Sequence, residues 1–165
     1  MTDMSLEAAV RARRSVRGFL PDPVPQETLD KVFDLARWSP SGTNIQPWQV
    51  YVASGATRDH LREQFMQRAK DKHPPSVDHK DSRGPIGEVW KTRRRECAAV
   101  LYDAMGVAWE DKPARAEVAF RNFELFDAPH VAFLCMNEVF GIGSAWDVGM
   151  YCLLYTSPSP RDVRS

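Results

Sequence analysis

The chain carries the sequence PSGTNIQPW at residues 40–48, between a predicted amphipathic helix and a predicted strand. Pro40 cannot continue a helix, and Pro47 pushes the residue before it toward extended geometry, so both ends of the segment are restricted. Between them lie four side chains that can donate or accept hydrogen bonds, Ser41, Thr43, Asn44 and Gln46. Such a set can read the edge of a planar heterocycle, although these residue types also occur in ordinary turns. We name residues 40–48 the polar turn and interpret it as a candidate binding site.

A basic cluster, RRSVR, follows an apolar-spaced segment at residues 13–17. Arginine binds phosphate through charge-assisted, often bidentate hydrogen bonds, and a neighbouring serine hydroxyl can add a contact. The alternative is a solvated helix end, where cations complement the negative pole of the helix. We name residues 13–17 the arginine run; taken alone, it favours the second interpretation.

Composition indicates a globular chain of about one domain. The sequence has 165 residues, 43% of them hydrophobic, with 22 basic and 22 acidic side chains. Zero net charge gives no global field that would favour nucleic acid or an anionic membrane. The 3 cysteines and 4 histidines show neither paired CxxC nor metal-ligand spacing. We therefore expect small-molecule or protein partners, no metal and reduced cysteines. The lack of a leader pattern or long apolar run predicts a cytoplasmic location without membrane association.

Apolar spacing predicts the elements of the first half. A helix is expected at residues 5–13, and a second from near Pro25 to before Pro40. Alternation around residues 50–52 predicts a short strand. Thr57 is then expected to cap a helix with an apolar stripe, made of Leu61, Phe65, Met66 and Ala69.

The second half is predicted as an exposed loop at residues 70–87, helices at 88–105 and 113–126, and a central strand at 130–136. The first of these helices carries the basic residues Lys91, Arg93, Arg94 and Arg95 and the apolar residues Val89, Cys97, Val100 and Leu101. We interpret the basic residues as a solvated face, with a nucleic-acid surface as the alternative.

The arginine run, the connector at residues 21–25 and the polar turn resemble, in their order and spacing, the amino-terminal half of the FMN-dependent nitroreductase family. The resemblance extends to FDAPH at residues 126–130 and AWDVGM at residues 145–150. Within the family the chain is most similar to the nitrobenzoate-type reductases. The resemblance implies an α+β fold, a nitroreductase-like α/β/α sandwich with a central, mostly antiparallel sheet that is incomplete in this chain.

The resemblance also implies a homodimer with two FMN molecules at the subunit interface. One subunit would hold the FMN phosphate and the pyrimidine side of the ring, through Arg13, Arg14, Ser15 and Arg17. The other would approach the ring with residues of the polar turn, Pro40, Ser41, Gly42, Asn44 and Gln46. Arg17 would lie near the N1 and O2 edge and stabilise negative charge on reduced flavin. No side-chain acid, base or nucleophile is required, so no catalytic residue is expected.

The implied function is hydride transfer from NAD(P)H, through FMN, to a nitroaromatic or quinone-like acceptor. Three alternatives stay open: a flavin-binding protein without turnover, a dehalogenase-type member of the same fold, and a nucleic-acid module that uses residues 91–95.

The carboxy-terminal segment CLLYTSPSPRDVRS, residues 152–165, abandons the helical pattern that begins at residues 147–151. It resembles the translation of a transposase-type sequencing adapter. We therefore predict that residues 1–151 are the amino-terminal part of a nitroreductase domain and that residues 152–165 are a non-native tail. The alternative is an ordinary Ser/Pro-rich terminus. On the first interpretation the chain is a truncated fragment, which we expect to be inactive.

Overall fold

The computed structural model describes residues 4–78 and 85–156, which form six α-helices and two β-strands. The helices are α1 (Leu6–Ala12), α2 (Gln26–Ala36), α3 (Gly55–Lys70), α4 (Glu88–Ala104), α5 (Lys112–Phe120) and α6 (Ile142–Thr156). The strands are β1 (Trp48–Ser54) and β2 (His130–Met136), and short 3-10 turns occur at Gly42–Asn44 and Leu125–Asp127. The described residues divide into two units, 4–59 with 127–156, and 60–78 with 85–126.

In the first unit, α6 packs on α2 and on both strands of an antiparallel pair. Trp48 lies opposite Met136, and Ser54 lies opposite His130. The buried apolar side chains of this unit include Ala36, Ala53, Ala128 and Tyr151. The Tyr151 ring stacks on Trp48 with 4.9 Å between centroids. α6 is therefore the element that closes the core of this unit.

Two predicted elements of the first unit are confirmed closely. α1 begins after Ser5, whose hydroxyl accepts from the Ala8 backbone N–H at 3.1 Å. α2 begins directly after Pro25 and ends at Ala36, before Pro40. Proline at the start of a helix and proline beyond its end explain both boundaries.

Two other predictions differ from the structure. The apolar run of β2 predicts a central strand, but the sheet formed by the described residues has two strands, so β2 pairs with β1 alone. A continuous apolar run predicts burial on both faces of a strand, not the number of its neighbours. α3 begins at Gly55 rather than after a Thr57 cap. Gly55 adopts φ +51°, a left-handed conformation that lets the chain turn directly from strand to helix.

The sequence predicts that the helical pattern is lost after Tyr151. For residues 152–156 this prediction is wrong. α6 continues through this segment, and Tyr155 packs against Phe33 with 5.4 Å between ring centroids. Tyr155 lies one helical turn after Tyr151, so both rings lie on the same face of α6. Residues 157–165 lie outside the described residues, and the predicted division at residue 151 stays a prediction.

The second unit contains most of α3, from residue 60 onward, together with α4 and α5. The Arg115 guanidinium lies over the rings of Trp109 and Tyr102, at 5.0 and 5.8 Å from their centroids. α5 ends at Phe120, before the predicted residue 126. Leu125 and Phe126 have φ of +55° and +53°, so the backbone has left the helical conformation there.

The basic face of α4 is exposed, as predicted, but its apolar stripe is not buried. Arg93 stacks on Trp90 at 4.9 Å, and Lys91 pairs with Glu88 at 2.7 Å. Val89 and Val100 are exposed, and α4 has no buried residue. Apolar spacing identifies a helix face, whereas burial also requires a surface that covers it.

The predicted loop after α3 is confirmed for residues 71–78 and 85–87, and residues 79–84 lie outside the described ranges. Over the described chain, no helix is both long and apolar enough to cross a membrane. Nor do the described His, Cys, Asp and Glu side chains form a group of three that could hold a metal ion.

Candidate functional site

The polar turn is held in an uncommon backbone conformation. Thr43, Asn44 and Gln46 have positive φ values of +51°, +58° and +50°. Left-handed conformations are unfavourable for residues other than glycine and are concentrated at functional sites, where surrounding contacts maintain them. The prediction that Pro47 makes Gln46 extended is therefore wrong.

Hydrogen bonds within the turn explain this conformation. The Gln46 backbone N–H donates to Ser41 Oγ at 3.0 Å, and its side-chain Nε2 donates to Asn44 Oδ1 at 3.1 Å. The Asn44 backbone N–H donates to the Ser41 carbonyl at 3.0 Å. Gln46 thus closes the turn back on Ser41, and this bond outweighs the extended preference that Pro47 imposes.

Asp147 connects the polar turn to α6. Its Oδ2 accepts a hydrogen bond from the Gly42 backbone N–H at 3.2 Å. A carboxylate acceptor strengthens such a bond relative to a neutral one. Asp147 lies in the segment at residues 145–150 that extends the family resemblance, and the sequence predicts no role for it in the site. The signal was an acidic residue in the apolar helix segment that follows β2.

The arginine run lies outside any helix. α1 ends at Ala12, and Arg13 already has extended backbone angles of φ −61° and ψ 127°. The helix-end alternative therefore applies to Arg13, which is the C-cap residue of α1, whereas Arg14, Ser15 and Arg17 follow the end of the helix.

The side chains of the arginine run are exposed and available. Within the described chain, neither Arg13 nor Arg14 makes an ion pair, and Arg17 has a single contact of 3.5 Å to the Ser15 carbonyl. Three cations within five residues, without acidic partners, provide charge that suits an anion.

The structure describes both the arginine run and the polar turn in full. Among the described residues, no hydrogen bond or ion pair joins residues 13–17 to residues 40–48. The two groups are separate features of one unit.

An open groove of about 540 Å³ lies beside the turn but does not suit a phosphate. Gln46 is the one predicted site residue in its lining, which includes Asp30, Asp34 and Arg37. Two carboxylates beside one guanidinium would repel an anion more than attract it. We therefore do not assign the groove to the predicted site.

The fold and the site define a class of protein, an α+β protein with helices on an antiparallel sheet, a strained polar turn and an exposed arginine run. The family model described as "Nitroreductase family" matches residues 10–152. The chain therefore belongs to the nitroreductase family.

Similar proteins agree with this placement. "Nitroreductase NfnB" from Mycolicibacterium smegmatis is 37% identical over 145 residues, covering 88% of this chain and 62% of the relative. "4-nitrobenzoate reductase" from Nocardioides sp. is 36% identical over 151 residues, covering 89% of this chain and 61% of the relative. The chain thus spans somewhat less than two thirds of the length of these relatives.

Solved structures show the same fold. The crystal structure of the FMN-dependent nitroreductase NfnB from Mycobacterium smegmatis in complex with NADPH has a TM-score of 0.82 and 35% identity. It covers 91% of this chain, which corresponds to 67% of that structure. This confirms the predicted fold class, an α+β protein of nitroreductase type.

Proposed function

We propose that the protein to which this chain belongs transfers hydride from NAD(P)H, through FMN, to nitroaromatic or quinone-like acceptors. The observation that carries the proposal is the family match over residues 10–152 together with the fold shared with an FMN-dependent nitroreductase. The nitroaromatic class is supported by relatives named for nitrobenzoate reduction. Quinone-like acceptors are proposed on the family resemblance alone.

The described residues fit a phosphate-bearing cofactor on their own chemistry. Three exposed cations and a hydroxyl lie in a short segment without helix or strand, Arg13, Arg14, Ser15 and Arg17, and the first two arginines have no acidic partner among the described residues. We propose that this segment holds the FMN phosphate and the pyrimidine side of the ring.

The polar turn fits the edge of a planar ring. Ser41, Gly42, Asn44 and Gln46 follow Pro40 in a backbone that internal hydrogen bonds keep in one conformation. Gly42 is exposed and has no side chain, so a ring can approach the backbone there closely. Such preorganisation reduces the entropy that binding would otherwise cost.

When bound, FMN would supply the hydride-accepting and hydride-donating chemistry, while the protein supplies orientation and electrostatics. The proposed role of Arg17 is electrostatic, because its fixed positive charge stabilises negative charge that develops near the N1 and O2 edge of a reduced ring. No side chain of this chain is assigned as a proton donor, base or nucleophile.

We further propose that the active protein is a homodimer, in which the arginine run of one subunit and the polar turn of the other complete each FMN site. The absence of a bond between these two groups within the described part of one chain is consistent with this arrangement.

The test uses protein expressed from the complete gene. We expect a yellow protein that loses its colour when NADPH or NADH is added without oxygen and regains it when a nitroaromatic compound is added. A yellow protein that does not bleach would support a flavin-binding protein without turnover. Halide release from a halogenated aromatic would support the dehalogenase alternative. A colourless protein with salt-dependent affinity for an oligonucleotide would support the nucleic-acid alternative.

Arg17→Ala tests the arginine run directly. We expect FMN binding to weaken by about 1.5 to 3 kcal/mol, the usual contribution of a hydrogen bond to a charged group. Arg11→Ala is the matched control, because Arg11 lies within α1 and pairs with Glu7 at 2.8 Å. Unchanged FMN affinity in Arg17→Ala, measured by fluorescence titration, would refute the assigned role.

Two predictions complete the proposal. A cytoplasmic location is consistent with three cysteines that are all free thiols.

The adapter origin of residues 152–165 and the fragment status of the chain are tested by sequencing the gene from untreated DNA, where a different downstream sequence is expected.

A further inference from the structure

The imidazole of His130, the first residue of β2, is hydrogen-bonded at both nitrogens. The Val24 backbone N–H donates to its Nε2, with 2.8 Å between the two nitrogens. Its Nδ1 is hydrogen-bonded to Ser54 Oγ, the hydroxyl of the last residue of β1. Ser54 and His130 are partners in the strand register, so both bonds lie at one end of the two-stranded sheet.

The donor from Val24 defines the protonation of the ring. A backbone N–H can only donate, so Nε2 must be an acceptor without a proton. The ring is therefore neutral, its proton is on Nδ1, and Nδ1–H donates to Ser54 Oγ. Ser54 thus orients the ring, and the oriented ring holds Val24.

Val24 lies in a connector without helix or strand between α1 and α2. In the described structure, residues 14–24 make no hydrogen bond to the rest of the chain besides the one from Val24 to His130. The residues of the arginine run are exposed and belong to the same connector. Their placement therefore depends on few fixed points, of which His130 is one.

We propose that His130 is a positioning residue for phosphate binding, which acts by tying the connector that carries the arginine run to the end of the sheet. This inference rests on the proposed function, because it takes the arginine run as the phosphate site of FMN. Fixing the connector before binding lowers the entropy that is lost when the arginines converge on a phosphate.

Three variants separate this role from a general effect on folding. His130→Phe keeps a ring of similar size but removes both hydrogen bonds. His130→Gln places an amide oxygen near the position of Nε2, where it can accept from Val24. Ser54→Ala keeps the imidazole but leaves Nδ1–H without its acceptor, and it serves if His130→Phe does not fold. His60→Gln is the control, because His60 is exposed on α3 and outside the site.

Two measurements are made on protein from the complete gene, the FMN dissociation constant and hydrogen exchange at the Val24 amide. In His130→Phe we expect the dissociation constant to rise about threefold to tenfold, the effect of one lost hydrogen bond, and the Val24 amide to exchange faster. In His130→Gln the FMN dissociation constant and the exchange rate of the Val24 amide should lie within about twofold of wild type, because the acceptor for Val24 is restored. Ser54→Ala should change both in the same direction as His130→Phe but less.

Faster exchange at Val24 with unchanged FMN affinity in His130→Phe would overturn the inference and leave the proposed function intact. Equal loss of affinity in the Gln and Phe variants would also overturn it, because the acceptor would then be irrelevant. Absence of FMN binding in the wild-type protein would overturn the proposed function, and this inference with it.

Discussion

Replacement of Tyr151 tests whether α6 closes the core of the first unit. Tyr151 is 1% exposed, stacks on Trp48, and donates its hydroxyl to the Phe33 carbonyl at 3.3 Å. It thereby links α6 to β1 and to α2 through one side chain. We compare Tyr151→Ala, which removes the ring, with Tyr151→Phe, which removes only the hydroxyl.

The expected magnitudes follow from these contacts. Truncation of a fully buried aromatic side chain leaves a cavity and costs about 3 to 5 kcal/mol, so Tyr151→Ala should lower the free energy of unfolding by that amount. The hydroxyl bond is long at 3.3 Å. Tyr151→Phe should therefore cost no more than about 1 kcal/mol, the central value for one hydrogen bond.

The assay is urea unfolding, followed by tryptophan fluorescence and by circular dichroism. Trp146→Ala is the matched control, since Trp146 is an aromatic residue of the same helix but is 76% exposed. Surface substitutions usually change stability by less than about 0.5 kcal/mol. A loss below about 1 kcal/mol for Tyr151→Ala, or equal losses for Tyr151→Ala and Trp146→Ala, would refute the packing of α6 described above.

Two further predictions concern pH and the polar turn. Burial raises the pKa of the Tyr151 hydroxyl above its usual 10.0, with Arg37 partly opposing the effect, so the folded state holds this proton more tightly than the unfolded state. The stability that this difference in pKa contributes to the folded state is fully present below about pH 10 and is lost as the pH rises through the folded pKa. The urea midpoint should therefore fall less steeply at alkaline pH in Tyr151→Phe than in the wild type. Asp147→Ala removes the acceptor of the Gly42 N–H and should weaken FMN binding by about 1 kcal/mol. Asp147→Asn, which keeps an acceptor, should lose less in the same fluorescence titration, and equal loss would contradict the role of this bond.

Local sequence signals predict the bounds of helices and strands better than they predict what packs against those elements. The boundaries of α2 follow from Pro25 and Pro40, and the extent of β2 follows from its apolar run, because these signals act within a few residues. The φ of Gln46 could not be predicted in this way, because it depends on a bond to Ser41, five residues earlier. The number of strands that pair with β2, and whether the apolar side chains of α4 are buried, depend on segments far away in the sequence. No local pattern specifies such contacts.

The two segments that extend the family resemblance beyond the amino-terminal half, residues 126–130 and 145–150, each provide one hydrogen-bond acceptor to the candidate site. His130 accepts from Val24 in the connector of the arginine run, and Asp147 accepts from Gly42 in the polar turn. Both donors are backbone N–H groups more than one hundred residues earlier in the chain, so either donor residue could carry any side chain except that of proline, which has no N–H. On the proposed function, the acceptor side chains position the site, while the groups of residues 13–17 and 40–48 bind FMN. Substitution of His130 or Asp147 should accordingly weaken FMN binding without removing any group that contacts FMN, which distinguishes these residues from Arg17.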